Sequence, residues 1–450
     1  MARSAIAAGF EVTMYARWHP GLAPTEERDG YRVIRVPFDW RLAVPILRRP
    51  IRWWLRRQMS RRPTGAPGVP RPPTPDPRPD VTVPRRVEDR VPASIRPAGR
   101  VVVGAGRSVR RRWRVVRMFP LRPLGWAAAL DGVAEPADIW HGMWAGSLPA
   151  LARMRGRHGG RTIYDSRDIY MRSREFEHLG WPLRPTLRWV ERRWAQSADR
   201  VLTVNDDYAD ILGPLLGVER PVVVMNCPER WTRPTPAPDH IRDALALPPD
   251  VAVVLYQGNL ISDRGIEQSM DAILLVPDAV LVLLGFGVWR DRFASLASAP
   301  PYLGRVRLLP PVPPESLLAW TASADVTVMA IQPTTLNHRF TTPQKLFESL
   351  AAGVPVVAAD LPGMARIVER TGAGVLCDPT SPASIADAIS GIISASPEHR
   401  AEWRERALRA AHDTYSWEAQ VQGLLEMYDA LLPAVAGTPA GDATTTGGPT

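Results

Sequence analysis

The chain contains one lysine, Lys345, among a total of 56 lysine and arginine residues. Lysine carries a compact point charge and arginine a planar guanidinium, so the two suit different anion sites. The sequence from Thr342 to Gly353 predicts a short helix, with Thr342 as N-cap and Pro343 at the first helical position. A cation in the first turn opposes the helix dipole by ~0.3–1 kcal/mol. The position of Lys345 therefore predicts a phosphate site at this helix N-terminus.

A structural alternative for Lys345 is a helix pair with Glu348, three residues further on. Such pairs stabilise a helix by only ~0.2–0.5 kcal/mol, and lysine before glutamate is the weaker orientation. The residue types favour the phosphate site. Both interpretations predict that Glu348 shares a helix face with Lys345.

Arg264 repeats this pattern on another predicted strand-to-helix turn. Ser262 or Asp263 can cap a helix there, which would place Arg264 in the first turn. Two such cations on neighbouring turns could together bind a diphosphate. The next turn contains Gly285 and Gly287, which would let the backbone approach a ligand, although an ordinary tight turn is the simpler explanation of that pair alone.

The composition limits the classes of function. A net charge of +10 and a pI near 10.2 predict an anionic partner, which leaves nucleic acid, an anionic lipid surface and a phosphorylated substrate. Cys227 and Cys377 are far apart in sequence, so they indicate neither a disulfide framework nor a zinc site and predict a reducing compartment. No apolar run reaches the ~18–20 residues of a membrane span.

Residues 47–117 differ in composition from the rest of the chain. Prolines crowd positions 63–97 and arginines cluster on both sides, which predicts a largely disordered insertion without helical or strand periodicity. At its ends tryptophan and arginine occur together, as at Trp53, Trp54 and Trp113. This mixture suits an anionic lipid surface, at ~1 kcal/mol per cation. A solvated basic loop is the alternative, and no nucleic-acid-binding motif accompanies the charge.

Outside that insertion, short β-branched runs alternate with helical patterns, which predicts parallel α/β sheets. The predicted strands are Glu11–Tyr15, Arg161–Tyr164, Arg200–Val204, Pro221–Met225, Val251–Tyr256, Ala279–Leu284, Val306–Leu309, Val326–Ala330 and Val354–Ala358. The proline-rich stretch Asn226–Asp239 predicts a linker between two such sheets. Ligands of doubly wound sheets bind at the carboxyl ends of the strands, so two facing sheets predict a binding cleft.

Several of these segments resemble the retaining glycosyltransferases of family 4, which have the GT-B fold. The similar segments are Tyr256–Ile273, Asn337–Asp360, Ala137–His141, Tyr164–Asp168 and Tyr415–Trp417, and the block Pro343–Pro355 is the most specific. The resemblance implies two facing Rossmann-like domains, at 1–235 and 236–414, with a helix at 415–432 that crosses back to the first domain and a disordered tail at 433–450. It covers most of the chain outside the insertion.

The resemblance also implies residue roles. Arg264 and Lys345 would hold the donor diphosphate, Glu348 would bond the ribose hydroxyls, and the turns with Gly258, Asn259, Gly285 and Gly287 would contact the donor. Transfer in that family usually needs no metal, and no cofactor is expected. Arg167, with Asp165 in the same segment, falls where the family has a histidine after its strand, and His141 is the other catalytic candidate.

The chain departs from the family pattern in three places. Phe340 stands where the family has a glutamate eight residues before the match to Glu348, and Arg167 replaces the histidine. Arginine cannot act as a general base, but it can stabilise developing negative charge. The family's first strand and its glycine-rich loop have no counterpart, which predicts that Met1 is not the natural start.

The sequence thus predicts sugar transfer from a nucleoside-diphosphate sugar to a lipid-linked or saccharide acceptor of the cell envelope, with retention of configuration. The predicted location is cytoplasmic, peripheral on the inner face of the plasma membrane, with an anionic membrane surface as a partner and no nucleic acid. Two alternatives stay open: a catalytically silent nucleotide-sugar-binding or scaffold protein, and a GT-B sugar-nucleotide epimerase.

Overall fold

The computed structural model describes residues 1–59, 113–173, 176, 179–236 and 238–432. The strands in these ranges are β1 Thr13–Arg17, β2 Thr25–Arg28, β3 Tyr31–Val36, β4 Ile139–Met143, β5 Arg161–Ser166, β6 Arg200–Thr203, β7 Val222–Val223, β8 Ala252–Asn259, β9 Ala279–Phe286, β10 Val306–Leu309, β11 Val326–Met329, β12 Val356–Ala359 and β13 Gly374–Cys377. All nine strands predicted from the sequence are present.

The helices alternate with these strands over most of the chain. They are α1 Ala2–Ala7, α2 Arg48–Met59, α3 Arg122–Leu130, α4 Leu148–His158, α5 Leu183–Ala195, α6 Asp206–Leu216, α7 His240–Leu245, α8 Ile266–Ile273, α9 Arg290–Ala297, α10 Leu317–Thr321, α11 Leu336–Arg339, α12 Gln344–Ala351, α13 Pro362–Thr371, α14 Pro382–Ile393, α15 Pro397–Asp413 and α16 Trp417–Leu431. None of the described helices is both long and apolar enough to cross a membrane.

The C-terminal unit is built on a six-stranded sheet with the order β10-β9-β8-β11-β12-β13. All five strand pairs are parallel. The central strands are continuous apolar runs because both faces of a parallel sheet are covered by helices. Along β8, Val254 packs into the core on one face and Val253 into the core on the other. The strand order reverses between β8 and β11, which is where ligands of doubly wound sheets bind.

The N-terminal strands divide between two sheets. Strands β4-β5-β6-β7 form a parallel sheet, whereas β1-β3-β2 form a separate sheet of three strands. The two sheets meet near Tyr15, whose hydroxyl accepts a hydrogen bond from the backbone N–H of Glu135 at 2.9 Å. Residues from both sides, including Val36 and Tyr164, share one hydrophobic core.

Helix α16 follows the C-terminal unit in sequence but packs on the N-terminal one. Val421 and Leu424 of α16 lie in a core with Ile163 and Leu202, which belong to β5 and β6. The indole N–H of Trp417, at the start of α16, donates to the Ser4 hydroxyl at 2.7 Å. The chain therefore connects the two units twice, once before the C-terminal unit and once after it.

The prediction of an irregular insertion at 47–117 is wrong at both ends, since residues 113–117 are also helical. Residues Arg48–Met59 form α2, which is anchored by buried Leu55 and by a hydrogen bond from Arg52 to the carbonyl of Ala128 at 2.6 Å. One apolar contact and good helix formers were enough for a helix that the arginine-rich composition concealed. Residues 60–112 of the insertion and the predicted tail at 433–450 lie outside the described residues.

Candidate active site

The donor-side turns lie at the carboxyl ends of β8 and β9. These neighbouring strands pair in parallel, with Gly258 opposite Gly285 and Asn259 opposite Phe286. Gly285 has φ +154, and a Cβ built there would lie 2.0 Å from the Gly258 carbonyl oxygen. Gly287 is similarly constrained, with a built Cβ 2.4 Å from the carbonyl oxygen of Leu260. Both glycines are thus required by close backbone packing, and the two turns form one rigid wall.

Arg264 precedes its helix rather than lying in it, so that part of the prediction is wrong. Helix α8 begins at Ile266, and Gly265 is its N-cap with φ +72. A Cβ at Gly265 would lie 1.8 Å from the carbonyl oxygen of Ala330, so the loop packs tightly against the end of β11. This packing fixes the loop that carries Arg264 beside the carboxyl end of the sheet.

Helix α12 begins one residue later than predicted. Pro343, not Thr342, is the N-cap, and no side chain caps the first turn. The Thr342 hydroxyl instead accepts a hydrogen bond from the amide of Asn205 at 3.1 Å. The N–H groups of Gln344 and Lys345 are therefore left for another acceptor, since a proline N-cap has no side-chain oxygen to offer, whereas the N–H of Leu346 donates to the Pro343 carbonyl at 2.9 Å.

Lys345 lies in that first turn with its ammonium over an aromatic ring. Its Nζ is 3.7 Å from the centroid of Tyr256, which gives a cation–π contact. Nζ is also 3.5 Å from a Cβ built on Gly258, so a side chain there would crowd it. Burial, followed by the positive charge of Arg264, lowers the pKa of Lys345 to about 7. Bringing an anion next to both cations would relieve this unfavourable charge arrangement.

Glu348 is held by residues from other elements. Its Oε2 accepts a hydrogen bond from Gln257 Nε2 at 2.7 Å, and Gln257 Oε1 accepts one from the Thr321 hydroxyl at 2.6 Å. Burial raises the pKa of Glu348, and the bond from Gln257 partly opposes this. Gln257 and Thr321 were missed in the sequence, because a polar residue inside an apolar strand does not reveal its partner.

The catalytic candidates of the N-terminal unit lie together on β4 and β5. Asp165 is fully buried, and its Oδ2 accepts a hydrogen bond from Arg167 Nε at 3.0 Å. His141 Nε2 lies 3.6 Å from the same oxygen. His141 Nδ1 is 2.7 Å from the hydroxyl of Tyr428 on α16. The structure therefore brings the three predicted residues into one charged cluster and adds Tyr428.

A small pocket lies beside this cluster. Asp165 and Arg167 line it together with Asn226 and Trp417. The side-chain amide of Asn226 donates to Gln344, the first residue of α12, at 3.2 Å. Asn226 thus links this pocket to the N-terminus of α12. An opening between the units lies nearby, with Asn205 on one side and Thr342 and Arg366 on the other.

Direct hydrogen bonds join the two units next to this opening. Asn337 of α11 donates to Asp168 at 2.8 Å and accepts from the backbone N–H of Ile169 and from the Tyr208 hydroxyl, each at 2.8 Å. Phe340 follows α11, and its side chain packs against the core of the N-terminal unit. Phe340 therefore fills the space between the units with apolar surface where a carboxylate was expected from the resemblance.

Comparisons with solved structures decide the fold. Sucrose-phosphate synthase from Thermosynechococcus elongatus superimposes with a TM-score of 0.63 at 17% identity, over 95% of this chain and 91% of that one. An Anabaena protein, HepE, solved with UDP and glucose, gives a TM-score of 0.57 at 20% identity over 69% and 82% of the two chains. The chain has the GT-B fold. The fold class predicted from the sequence is confirmed.

Sequence comparisons find similarity to glycosyltransferases. Residues 238–410 match the family described as "Glycosyl transferases group 1". A D-inositol 3-phosphate glycosyltransferase of Thermomonospora curvata is 32% identical over 216 residues, which are 45% of this chain and 48% of that protein. A GDP-mannose-dependent mannosyltransferase of Mycolicibacterium smegmatis, named for phosphatidylinositol monomannoside, is 25% identical over 66% of this chain and 78% of that protein. The chain spans about half the length of the first of these relatives.

Proposed function

We propose that this chain is a glycosyltransferase that moves a sugar from a nucleoside-diphosphate sugar to an acceptor with retention of configuration. The observation that carries the proposal is the first turn of α12, which has no side-chain cap and holds the ammonium of Lys345 close to the charge of Arg264. Free N–H groups at this helix N-terminus, the ammonium of Lys345 and the guanidinium of Arg264 on the loop before α8 form a site for a diphosphate. The group 1 match over 238–410 covers this site.

Each donor-side residue then has a role. Glycines 258, 285 and 287 let the backbone approach the nucleotide, because a side chain at the last two would collide with neighbouring backbone. Glu348, oriented by Gln257, accepts hydrogen bonds from the ribose hydroxyls. Asn259 closes the β8 turn, where its carbonyl accepts from the Tyr256 hydroxyl at 3.0 Å.

The chemical step needs stabilisation of the leaving diphosphate. Negative charge grows on its outer oxygen as the sugar bond breaks, and fixed cations there lower the barrier. Arg264 and Lys345 provide that charge from the C-terminal unit. On the N-terminal unit, Arg167 donates to buried Asp165; an arginine there can orient the acceptor or stabilise charge but cannot remove a proton.

The acceptor is a saccharide or a lipid-linked polyol of the cell envelope. Support comes from the names of the relatives, which act on D-inositol 3-phosphate and on a phosphatidylinositol monomannoside. We place the enzyme on the inner face of the plasma membrane through α2, whose Trp53 and Trp54 are 62% and 42% exposed beside several arginines.

Product analysis tests the proposal. The protein is incubated with UDP- and GDP-sugars and a panel of envelope lipids and saccharides, and the product is examined by mass spectrometry and by NMR of its anomeric proton. We expect an axial-to-axial transfer for an α-linked donor and a loss of at least about tenfold in rate for Lys345→Ala. An inverted product refutes retention, and release of neither nucleotide nor product with any donor refutes the transferase.

A second candidate is a catalytically silent nucleotide-sugar-binding protein. One observation favours it: Phe340 places an aromatic ring against the N-terminal core where the resemblance expects a glutamate. That protein would bind a nucleotide through Lys345 and Glu348 without turnover. Nucleotide affinity combined with no product therefore identifies it.

A further inference from the structure

Trp144, the residue after β4, has an unusual backbone conformation. Its φ is 71 and its ψ is 148, a region that is essentially restricted to glycine. A bulky aromatic residue is among the least suited to it, because its Cβ crowds the neighbouring carbonyl. Residues held in such conformations concentrate at ligand-binding and catalytic sites.

The surrounding structure holds Trp144 in this conformation. Its N–H donates to the Asp165 carbonyl at 3.0 Å, and its carbonyl accepts from the N–H and the hydroxyl of Ser147 at 2.9 and 2.8 Å. Gly146 lies against the indole, since a Cβ built there would be 2.0 Å from Cζ3 of Trp144. Gly146 has no positive φ, so the ring and not the backbone requires a glycine at this position.

Despite these constraints the indole is not buried. Trp144 is 41% exposed, and the preceding Met143 is 49% exposed. The ring of Tyr170 stands at its edge, with centroids 6.2 Å apart and an interplanar angle of 79°. Met143 and Trp144 thus form an exposed apolar surface, the Trp144 platform, that the fold maintains against backbone strain.

The Trp144 platform lies beside the charged cluster at the carboxyl end of the sheet. Met143 is the register partner of Asp165. Two buried atoms of that cluster, Asp165 Oδ1 and His141 Nε2, have no hydrogen-bond partner in the structure. Tyr170 follows Ile169, which is bonded to Asn337 of the C-terminal unit. The platform therefore lies near the contact between the units at Asn337 and adjoins polar groups with unused bonding capacity.

We propose that the Trp144 platform is the acceptor subsite and that it takes a six-membered polyol ring, a pyranose or a cyclitol. The apolar C–H face of the ring stacks on the indole, which offers a large rigid surface at low entropic cost. The ring hydroxyls bond to Arg167, whose side chain is the more exposed part of the cluster and is held by Asp165, since polar groups beside an apolar wall fix a ligand's orientation. This inference rests on the proposed glycosyltransferase function.

Saturation-transfer NMR on the full chain tests the subsite. The probes are myo-inositol and methyl α-D-mannopyranoside, each with UDP or GDP present. We expect saturation of ring C–H protons in the wild type and in Trp144→Phe, and binding about three- to tenfold weaker in Trp144→Ala and Gly146→Ala. Gly156→Ala is the matched control, because a Cβ at Gly156 in α4 meets nothing within 4 Å. Equal binding in Gly146→Ala and Gly156→Ala overturns the proposal.

Thermal unfolding provides a second measurement that does not need a ligand. Alanine normally exceeds glycine in stability, because glycine loses more backbone entropy on folding. At position 144 the order should reverse, with a higher Tm for Trp144→Gly than for Trp144→Ala, while both lose ring binding. The normal order would show that the backbone at this position is unstrained and would overturn the proposal.

Nucleotide titration separates this inference from the proposed function. UDP or GDP should bind the four platform variants, Trp144→Phe, Trp144→Ala, Trp144→Gly and Gly146→Ala, as it binds the wild type. The Trp144 platform belongs to the N-terminal unit, whereas the proposed nucleotide site belongs to the C-terminal one. If no nucleotide binds the wild type, the proposed function fails. If a nucleotide binds but neither probe shows ring saturation in the wild type, only the acceptor subsite fails.

Discussion

Lys345 and its partners show how a single charge is prepared for an anion. The ammonium lies over Tyr256, and Arg264 adds a second positive charge nearby. The lowered pKa means that folding disfavours the charged form of Lys345. Between the folded value of about 7 and the ordinary value near 10.5, the unfolded chain binds more protons, so this residue makes stability rise with pH in that window. A bound diphosphate would raise the pKa of Lys345 again.

Donor binding should therefore take up a proton. For a UDP- or GDP-sugar, whose diphosphate keeps its charge, we expect affinity to fall by up to about tenfold per pH unit above about pH 7. Calorimetry in buffers of different ionisation enthalpy should show uptake that approaches one proton per site at about pH 8.5. Lys345→Ala should lose about 1.5–3 kcal/mol of binding at pH 6 and show no uptake.

The control for this experiment is Lys345→Arg, which stays charged at every pH examined and cannot take up a proton on binding. Glu348, whose pKa is raised by burial, also faces the site. Proton uptake that persists unchanged in Lys345→Arg would therefore assign the proton to Glu348 and contradict the role given to Lys345.

At the scale of the element, α2 exposes apolar side chains that packing within the fold does not explain. It has a single buried residue, Leu55, whereas Trp53 and Trp54 point away from the core and lie near Arg57 and Arg41. Ile46, just before the helix, is 83% exposed. A helix that exposes aromatic and aliphatic groups among arginines matches an interfacial membrane helix.

Flotation with vesicles tests that role of α2. The wild type should float with phosphatidylglycerol vesicles and not with phosphatidylcholine vesicles, and salt should weaken the binding. Trp53→Ser with Trp54→Ser should reduce flotation at least about tenfold, because two interfacial aromatic anchors are lost. Trp181→Ser is the control, since Trp181 is 87% exposed elsewhere on the unit. Equal losses of flotation in the Trp53/Trp54 double variant and in Trp181→Ser would show that the effect is not specific to α2.

At the scale of the whole molecule, the relation between the two units depends on few polar contacts. Asn337 makes three bonds across the opening, and Arg366 of α13 bonds to Asp207 of α6 at 2.7 Å. Asn337 lies within α11, the short helix that ends just before Phe340. These contacts hold the two faces of the site at a fixed distance.

Replacing Asn337 with alanine should loosen this arrangement. Asp168 and Ile169 lose their bonds to residue 337, whereas the Tyr208 hydroxyl keeps its bond to the backbone carbonyl at 2.8 Å. The loss costs about 1–3 kcal/mol in unfolding free energy, and we expect a larger radius of gyration by small-angle X-ray scattering. Asn226→Ala is the matched control, because it removes one exposed bond between the units. A radius unchanged in Asn337→Ala, with unchanged stability, would mean that apolar packing alone sets the relation of the units.

The sequence by itself predicted nine of the thirteen strands that the structure describes, together with helix α12. Local apolar periodicity gave nine strands, and the short motif from Pro343 to Gly353 placed Lys345 and Glu348 on one helix face, because both signals act within a few residues. It misplaced the start of α12 by one residue and put Arg264 inside α8. Cap positions depend on which side chain finds a distant partner, as Thr342 finds Asn205.

Tertiary structure alone decided how the site is completed. The contact between His141 and Tyr428 joins residues 287 positions apart, and Gln257 reaches Glu348 across 91 positions. No local pattern encodes such pairs, because a side chain's partner depends on which strands become neighbours. The exposed, strained Trp144 likewise became visible only when β4, β5 and the turn through Gly146 were placed together. Contacts of long sequence separation, rather than residue types, thus define how the His141–Asp165–Arg167 cluster and Trp144 are placed.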